Sequence, residues 1–144
     1  MDQIDLKILE ALQQNARISF SELGRSINMT QPAVSERVRK LEEKGIIDSY
    51  RTIVSPEKLG KSITAFILVQ TNNCDRLTAF GNQSDDVVEM HQLSGQFNFM
   101  LKIQTHSMQS LNDFLSQCSQ YGFTSTMTVL STPLAFKGIT GEVG

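Results

Sequence analysis

Cysteine is scarce in this chain: Cys74 and Cys118 are the only two among 144 residues. They form no C-x-x-C pair and lie beside no histidine cluster, which excludes a zinc finger or a dithiol redox centre and leaves two small buried hydrophobes. Histidine is equally sparse. His91 and His106 have no acidic partner at catalytic or metal-binding spacing, so no metal and no cofactor is expected, and the chain does not read as an enzyme. Long apolar runs are missing as well. Stretches such as Ala65 to Val69 fall far below the ~20 residues of a membrane-spanning helix. Met1 leads directly into Asp2 to Glu10 without a basic n-region, which makes the cytoplasm the expected location and a membrane no partner. The tripeptide Gly60-Lys61-Ser62 resembles the end of a phosphate-binding loop, but the leading glycine would fall at Ser55, and that reading fails.

Hydrophobic residues make up 40% and charged residues 19%, the composition of a folded globular chain. A chain of this length has room for one ordinary domain or two small ones, each near the lower limit for a self-sufficient core, so two small cores or association between copies is expected. The net charge is −2, an unpromising start for a nucleic-acid partner. Its distribution changes that. Residues 1–60 hold nine of the 13 Lys and Arg residues, and between Arg17 and Lys40 five basic residues (Arg17, Arg25, Arg37, Arg39, Lys40) face two acidic ones (Glu22, Glu36). The mean hides a local basic patch.

Asp2 is a candidate N-cap for an amphipathic helix bearing Ile4, Ile8 and Leu12. Ser19 and Glu22 have the spacing of a capping box, and Ile18 and Leu23 that of a hydrophobic staple, so a second helix is predicted from Phe20 to about Ile27. Asn28 suits a left-handed C′ position, Thr30 caps a third helix, Pro32 falls in its first turn and Gly45 ends it. Two short helices joined by so tight a turn make a helix-turn-helix, with Gly24 small where the next helix must approach. At about 100° per residue, Val34, Val38 and Leu41 share one face of the third helix while Gln31, Ser35 and Arg39 share another. Ile46 to Val54 is β-branched and aromatic and is predicted to be a strand.

Beyond Ser62 the pattern is one of strands: Ile63 to Thr71, then a short helix or turn-rich stretch from Asp75 to Gln83, then Val87 to Gly95 and Phe97 to Thr105 joined at a Gly95 turn. A helix with Met108, Leu111, Leu115 and Cys118 in its stripe follows, capped by Ser107 and stopped by Gly122, and a last strand spans Thr124 to Thr132. The order βαββαβ predicts a ferredoxin-like sheet with helices on one face and the other face covered by a second subunit. The expected class is α+β. Residues 1–54 are expected to form a helix-turn-helix (winged-helix-like) domain, 55–62 a linker, and 63–144 a ferredoxin-like oligomerisation domain.

The stretch from Ile4 to Ile47, the turn and strand Ser94 to Ile103, and the last strand Thr124 to Leu134 together resemble the Lrp/AsnC (feast/famine) transcriptional regulators of bacteria and archaea. The resemblance covers nearly the whole chain. It implies a nucleoid-associated regulator of double-stranded DNA, a homodimer assembling further to a tetramer or octamer, and a free amino acid as the effector class. It also implies an effector site at the family's G-x-x-D turn, where Gly95, Gln96, Phe97 and Asn98 stand. Asn98 departs from the usual acidic residue, and it would accept a hydrogen bond from an ammonium group without charge assistance.

Within this frame Gln31, Ser35 and Arg39 are expected to face base edges, and Arg17, Arg25, Arg37 and Lys40 to hold phosphates. The competing reading pairs the basic residues of the third helix with Glu36, Glu42 and Glu43 on a solvated face. Rival functions are an architectural DNA-wrapping protein, an amino-acid-binding regulatory subunit, and an enzyme housed in the C-terminal module.

Overall fold

The computed structural model describes residues 1–143. Three helices open the chain, α1 (Gln3–Gln14), α2 (Phe20–Ile27) and α3 (Gln31–Glu43). Each begins where a short polar side chain accepts from the first-turn amides: Asp2 from Ile4 and Asp5, Ser19 from Glu22, Thr30 from Ala33. Such caps satisfy amides that have no partner within the helix. The reciprocal half of the box forms on α1, where Asp5 accepts from the Asp2 amide. At Ser19 only the Ser19 half forms. Asn28 ends α2 in the left-handed conformation with φ 58°, and Gly45 with φ 66° ends α3.

Ile8, Leu23, Val34, Val38 and Leu41 meet as one small core, with Ile18, Ile27 and Ile47 packed around it. Gly24 sits at the tightest point. A Cβ there would run into the Met29 carbonyl and press on Val34, so only glycine lets the turn close over the helix.

Ile46 to Val54, predicted to be a strand, is irregular throughout. The Ile46 and Ile47 amides bond back to the Leu41 carbonyl and finish α3, and Ile53 is 82% exposed. Strand propensity reflects fit to a pleated, half-buried surface, and among the described residues no strand lies alongside to provide one.

A 3₁₀ turn, Glu57–Leu59, precedes β1 (Ile63–Gln70), α4 (Cys74–Gln83), β2 (Val87–Gln92), β3 (Phe99–Thr105), α5 (Met108–Cys118) and β4 (Phe123–Thr128). The strands form one antiparallel sheet in the order β2-β3-β1-β4, the predicted ferredoxin-like arrangement. Ala65, Ile67, Val69, Leu101 and Ile103 point to the face covered by Leu77, Leu111 and Phe114 of the helices. The alternate residues Phe66, Leu68, Met100 and Lys102 on the other face are only half-buried. On α5 the buried stripe is Leu111, Phe114 and Cys118, while Met108, expected in it, is 58% exposed.

β3 begins at Phe99 rather than Phe97, and β4 stops at Thr128 rather than Thr132. The second limit follows from the partner. Thr128 pairs with Ala65 and the Val129 amide reaches the Thr64 carbonyl, after which β1 has almost no residues left to pair.

The compact units are Met1–Ile53 with Leu134–Gly144, and Val54–Pro133. The division differs from the expected one at both joints. The stretch expected to be a linker is fastened to the second unit: Lys61 bonds Asp86 at 2.8 Å, His106 Nδ1 meets the Gly60 carbonyl at 2.9 Å and Ser62 bonds the His106 carbonyl. The tail after Pro133 lies along α1 instead of joining the sheet domain.

Candidate functional site

The geometry of α3 follows from its two ends. Thr30 and Pro32 start it sharply, and Val34, Val38 and Leu41 anchor its back in the core. Gln31, Ser35 and Arg39 are then exposed on the opposite side, with Lys40 beside them and Arg17 and Arg25 exposed on the preceding segments. A polar front at the N-terminal end of a helix, held by an apolar back, is the arrangement that enters a major groove.

In the unliganded chain the charges on this front are partly paired. Arg39 bonds Glu36 at 2.7 Å and also Glu43, while Lys40 lies 3.5 Å from Glu36. The hydrogen bond and charge of Glu36, then the charge of Glu43, push the Arg39 guanidinium further up. The Arg39 donor in turn holds Glu36 below the ordinary carboxylate range. These partners are all about half exposed, so the pairs are worth little and exchange readily for a phosphate or a base. The pairing along a solvated face, the competing reading of this helix, is present in the structure.

Arg37 is different. Its Nη1 donates to Asp2 and Asp5, each at 2.8 Å, and its side chain is 29% exposed. The hydrogen bonds it donates to Asp5 and Asp2, in that order, raise its pKa. The Asp5 amide, followed by Arg37, lowers that of Asp2. Arg37 thus spans from α3 to the capping box of α1. No local signal pointed to this pairing, since the partners are 35 and 32 positions away.

Tyr50, about half exposed, lies against the end of α3. Its hydroxyl donates to Glu42 at 2.8 Å, and burial followed by that bond pushes its pKa up to about 12.

In the C-terminal unit Gly95 and Gln96 form the exposed tip of the β2–β3 turn, with Gly95 at φ 121°. Phe97 leaves the strand and stacks on Phe123, ring centres 6.2 Å apart. Asn98 turns inward. Its Oδ1 accepts from the Thr71 amide and its Nδ2 donates to the Thr71 carbonyl, both at 2.9 Å. Thr71 Oγ1 in turn donates to the Tyr121 carbonyl at 2.6 Å. The Asn98 amide, expected to face an effector ammonium, therefore ties the turn to the end of β1. Thr71, unmarked in the sequence, is the centre of this joint. Among the described residues no group of His, Cys, Asp and Glu is placed to hold a metal, and no helix is long and apolar enough to cross a membrane.

Residues 1–48 match the family described as winged helix-turn-helix DNA-binding, and residues 64–139 match the Lrp/AsnC ligand binding domain. The chain is 40% identical over 132 residues to an uncharacterized HTH-type transcriptional regulator, YezC, of Bacillus subtilis, covering 92% of this chain and 95% of that one. It is 39% identical to the HTH-type transcriptional regulator LrpB of the same organism over 85% of this chain and 83% of that one. The solved structure of B. subtilis LrpC superposes with a TM-score of 0.88 at 34% identity, covering 94% of this chain and 99% of that one. E. coli AsnC does so at 0.85 and 28%, covering 95% and 97%. With both halves matched, in this order and nearly end to end, the chain belongs to the Lrp/AsnC family of DNA-binding transcriptional regulators, which are not enzymes.

Proposed function

We propose that α3 is the recognition helix, with Gln31, Ser35 and Arg39 reading base edges and Arg17, Arg25 and Lys40 holding phosphates. One observation carries this assignment: the Thr30-capped start of α3 exposes that polar face while Val34, Val38 and Leu41 fix its back in the core. Paired recognition helices from two copies would occupy successive major grooves about one helical turn apart, which requires sites with two-fold symmetry. The half-buried apolar face of the sheet, with Phe66, Leu68 and Met100, favours a homodimer through the C-terminal units, assembling further to a tetramer or octamer. The location consistent with this role is the cytoplasm, at the nucleoid.

The β2–β3 turn remains our candidate for part of an amino-acid site, now with Gln96 and the Gly95 backbone as the contacting groups and Asn98 as the joint beneath them. L-Met is a sensible first probe, since one solved regulator of this fold, from Neisseria meningitidis, is an L-Met complex.

Selection of genomic fragments by the purified protein at about physiological salt tests the DNA assignment, because non-specific phosphate binding is weak there. Recovery of a few shared, two-fold-symmetric sites supports a specific regulator. Uniform recovery would overturn it in favour of an architectural protein.

A further inference from the structure

The segment that follows the C-terminal sheet is held through Ile139. It lies on the outer side of α1, within the same compact unit. The Gln13 side chain pairs with both backbone polar groups of one tail residue: its Oε1 accepts from the Ile139 amide at 2.8 Å, and its Nε2 donates to the Ile139 carbonyl at 3.0 Å. This is the exchange by which neighbouring strands recognise each other, performed here by a side-chain amide. Two residues later Gly141 packs against the ends of the Leu6 and Met1 side chains, where a Cβ would lie 3.1 Å from the first and 3.2 Å from the second. Leu6, Leu9, Gln13, Phe136 and Ile139 line a cavity of about 740 Å³ left between helix and tail.

We propose that the outer face of α1 is a docking surface whose occupant is the chain's own C-terminal tail, acting in cis as a strap. The occupant is assigned by the match of the Gln13 carboxamide to the Ile139 N–H and C=O, with Gly141 seated on Leu6 and Met1 beyond it. The strap is lightly held: Ile139 is 84% exposed and Phe136 59%, so the grip rests on the backbone and releases readily. Because the tail continues from β4, the strap gives the DNA-binding unit a second covalent connection to the ligand-binding unit. It acts on the helix that carries Asp2 and Asp5, which brace α3 through Arg37. Docking therefore steadies α3 from behind.

Hydrogen exchange tests this, comparing the parent with Gln13→Ala and a chain ending at Pro133. Severalfold faster exchange of the α1 amides in both is the expected result. Unchanged exchange in the shortened chain would overturn the proposal. Whose tail is bound is decided by a Gln13→Cys, Ile139→Cys pair in a Cys74→Ser, Cys118→Ala background, treated with a short bismaleimide. Joining within one chain supports the strap. A joined dimer would overturn the cis assignment in favour of a second copy, and no joining would overturn the contact. None of these outcomes depends on which DNA the protein selects.

Discussion

Arg37 on α3 lies 2.8 Å from Asp5 on α1, so one of the basic residues of the DNA-binding unit is directed into the domain rather than out of it. An arginine bound to phosphate releases a counterion, whereas one already held by two carboxylates does not. Arg37→Ala is expected to weaken DNA binding through loss of α3 bracing while leaving the slope of log K against log salt unchanged. Arg25→Ala and Lys40→Ala should each reduce the magnitude of that slope by about 0.9. Titrations at three or four salt concentrations decide the matter; an equal reduction for Arg37→Ala would return it to the phosphate set.

Gly24 faces the Met29 carbonyl with no room for a Cβ. Gly24→Ala ordinarily favours a helix by roughly 1 kcal/mol, but here the added methyl meets backbone, which cannot swing aside. The net expectation is destabilisation by about 1–3 kcal/mol, the usual range for overpacking. Urea unfolding followed by a probe in the N-terminal unit measures it, and a stabilised variant would mean that the turn is looser than it stands here.

What local chemistry controls was legible in the sequence. Asp2, Ser19 and Thr30 announce helix starts because capping is settled within three residues, and Asn28 announces the turn for the same reason. The sheet was legible through its period of two. Ile46 to Val54 was misread because β-branched side chains show only that a strand would be tolerated, not that a partner is present. The same gap separates residue type from destination at the site. Arg37 and Arg39 are alike in sequence, yet one reaches back to Asp2 and Asp5 and the other lies along Glu36 and Glu43. The Gln13 grip on Ile139, 126 positions away, has no local signal at all.

Asp86 joins three segments of the C-terminal unit. It accepts from Lys61 at 2.8 Å and from Thr105 at 2.7 Å, and Thr105 Oγ1 lies 2.6 Å from Ser110 Oγ. Burial alone would raise its pKa, but the Lys61 and Thr105 donors outweigh it and hold the carboxyl below 3.8. A carboxyl depressed on folding contributes stability that is complete above its unfolded pKa and is lost as pH falls through the folded one. Asp86→Asn should therefore cost about 1–3 kcal/mol at pH 7, and the gap from the parent should narrow below about pH 4. Urea midpoints of both proteins from pH 7 to pH 3 provide the comparison, and a constant gap would show that the carboxylate charge is not what matters.

Asn98 stands where the family commonly has an acidic residue, and its surroundings give that departure a reason. The Thr71 amide donates to Oδ1 while the Thr71 carbonyl accepts from Nδ2, a pair of bonds that only a carboxamide makes in full. Asn98→Asp keeps the first bond but replaces the second donor with a carboxylate oxygen facing the carbonyl at close range. Loss of that bond and the repulsion that follows should destabilise the C-terminal unit by about 1–3 kcal/mol. A bound effector ammonium near the turn would offset part of this by neutralising the new charge. Thermal unfolding of parent and Asn98→Asp, each with and without millimolar L-Met, separates the two effects. A lower Tm for the variant alone establishes the structural joint, and a larger ligand-induced rise in the variant than in the parent would place an ammonium group beside residue 98. Equal Tm values for the two unliganded proteins would remove the Thr71 joint as the explanation for asparagine here.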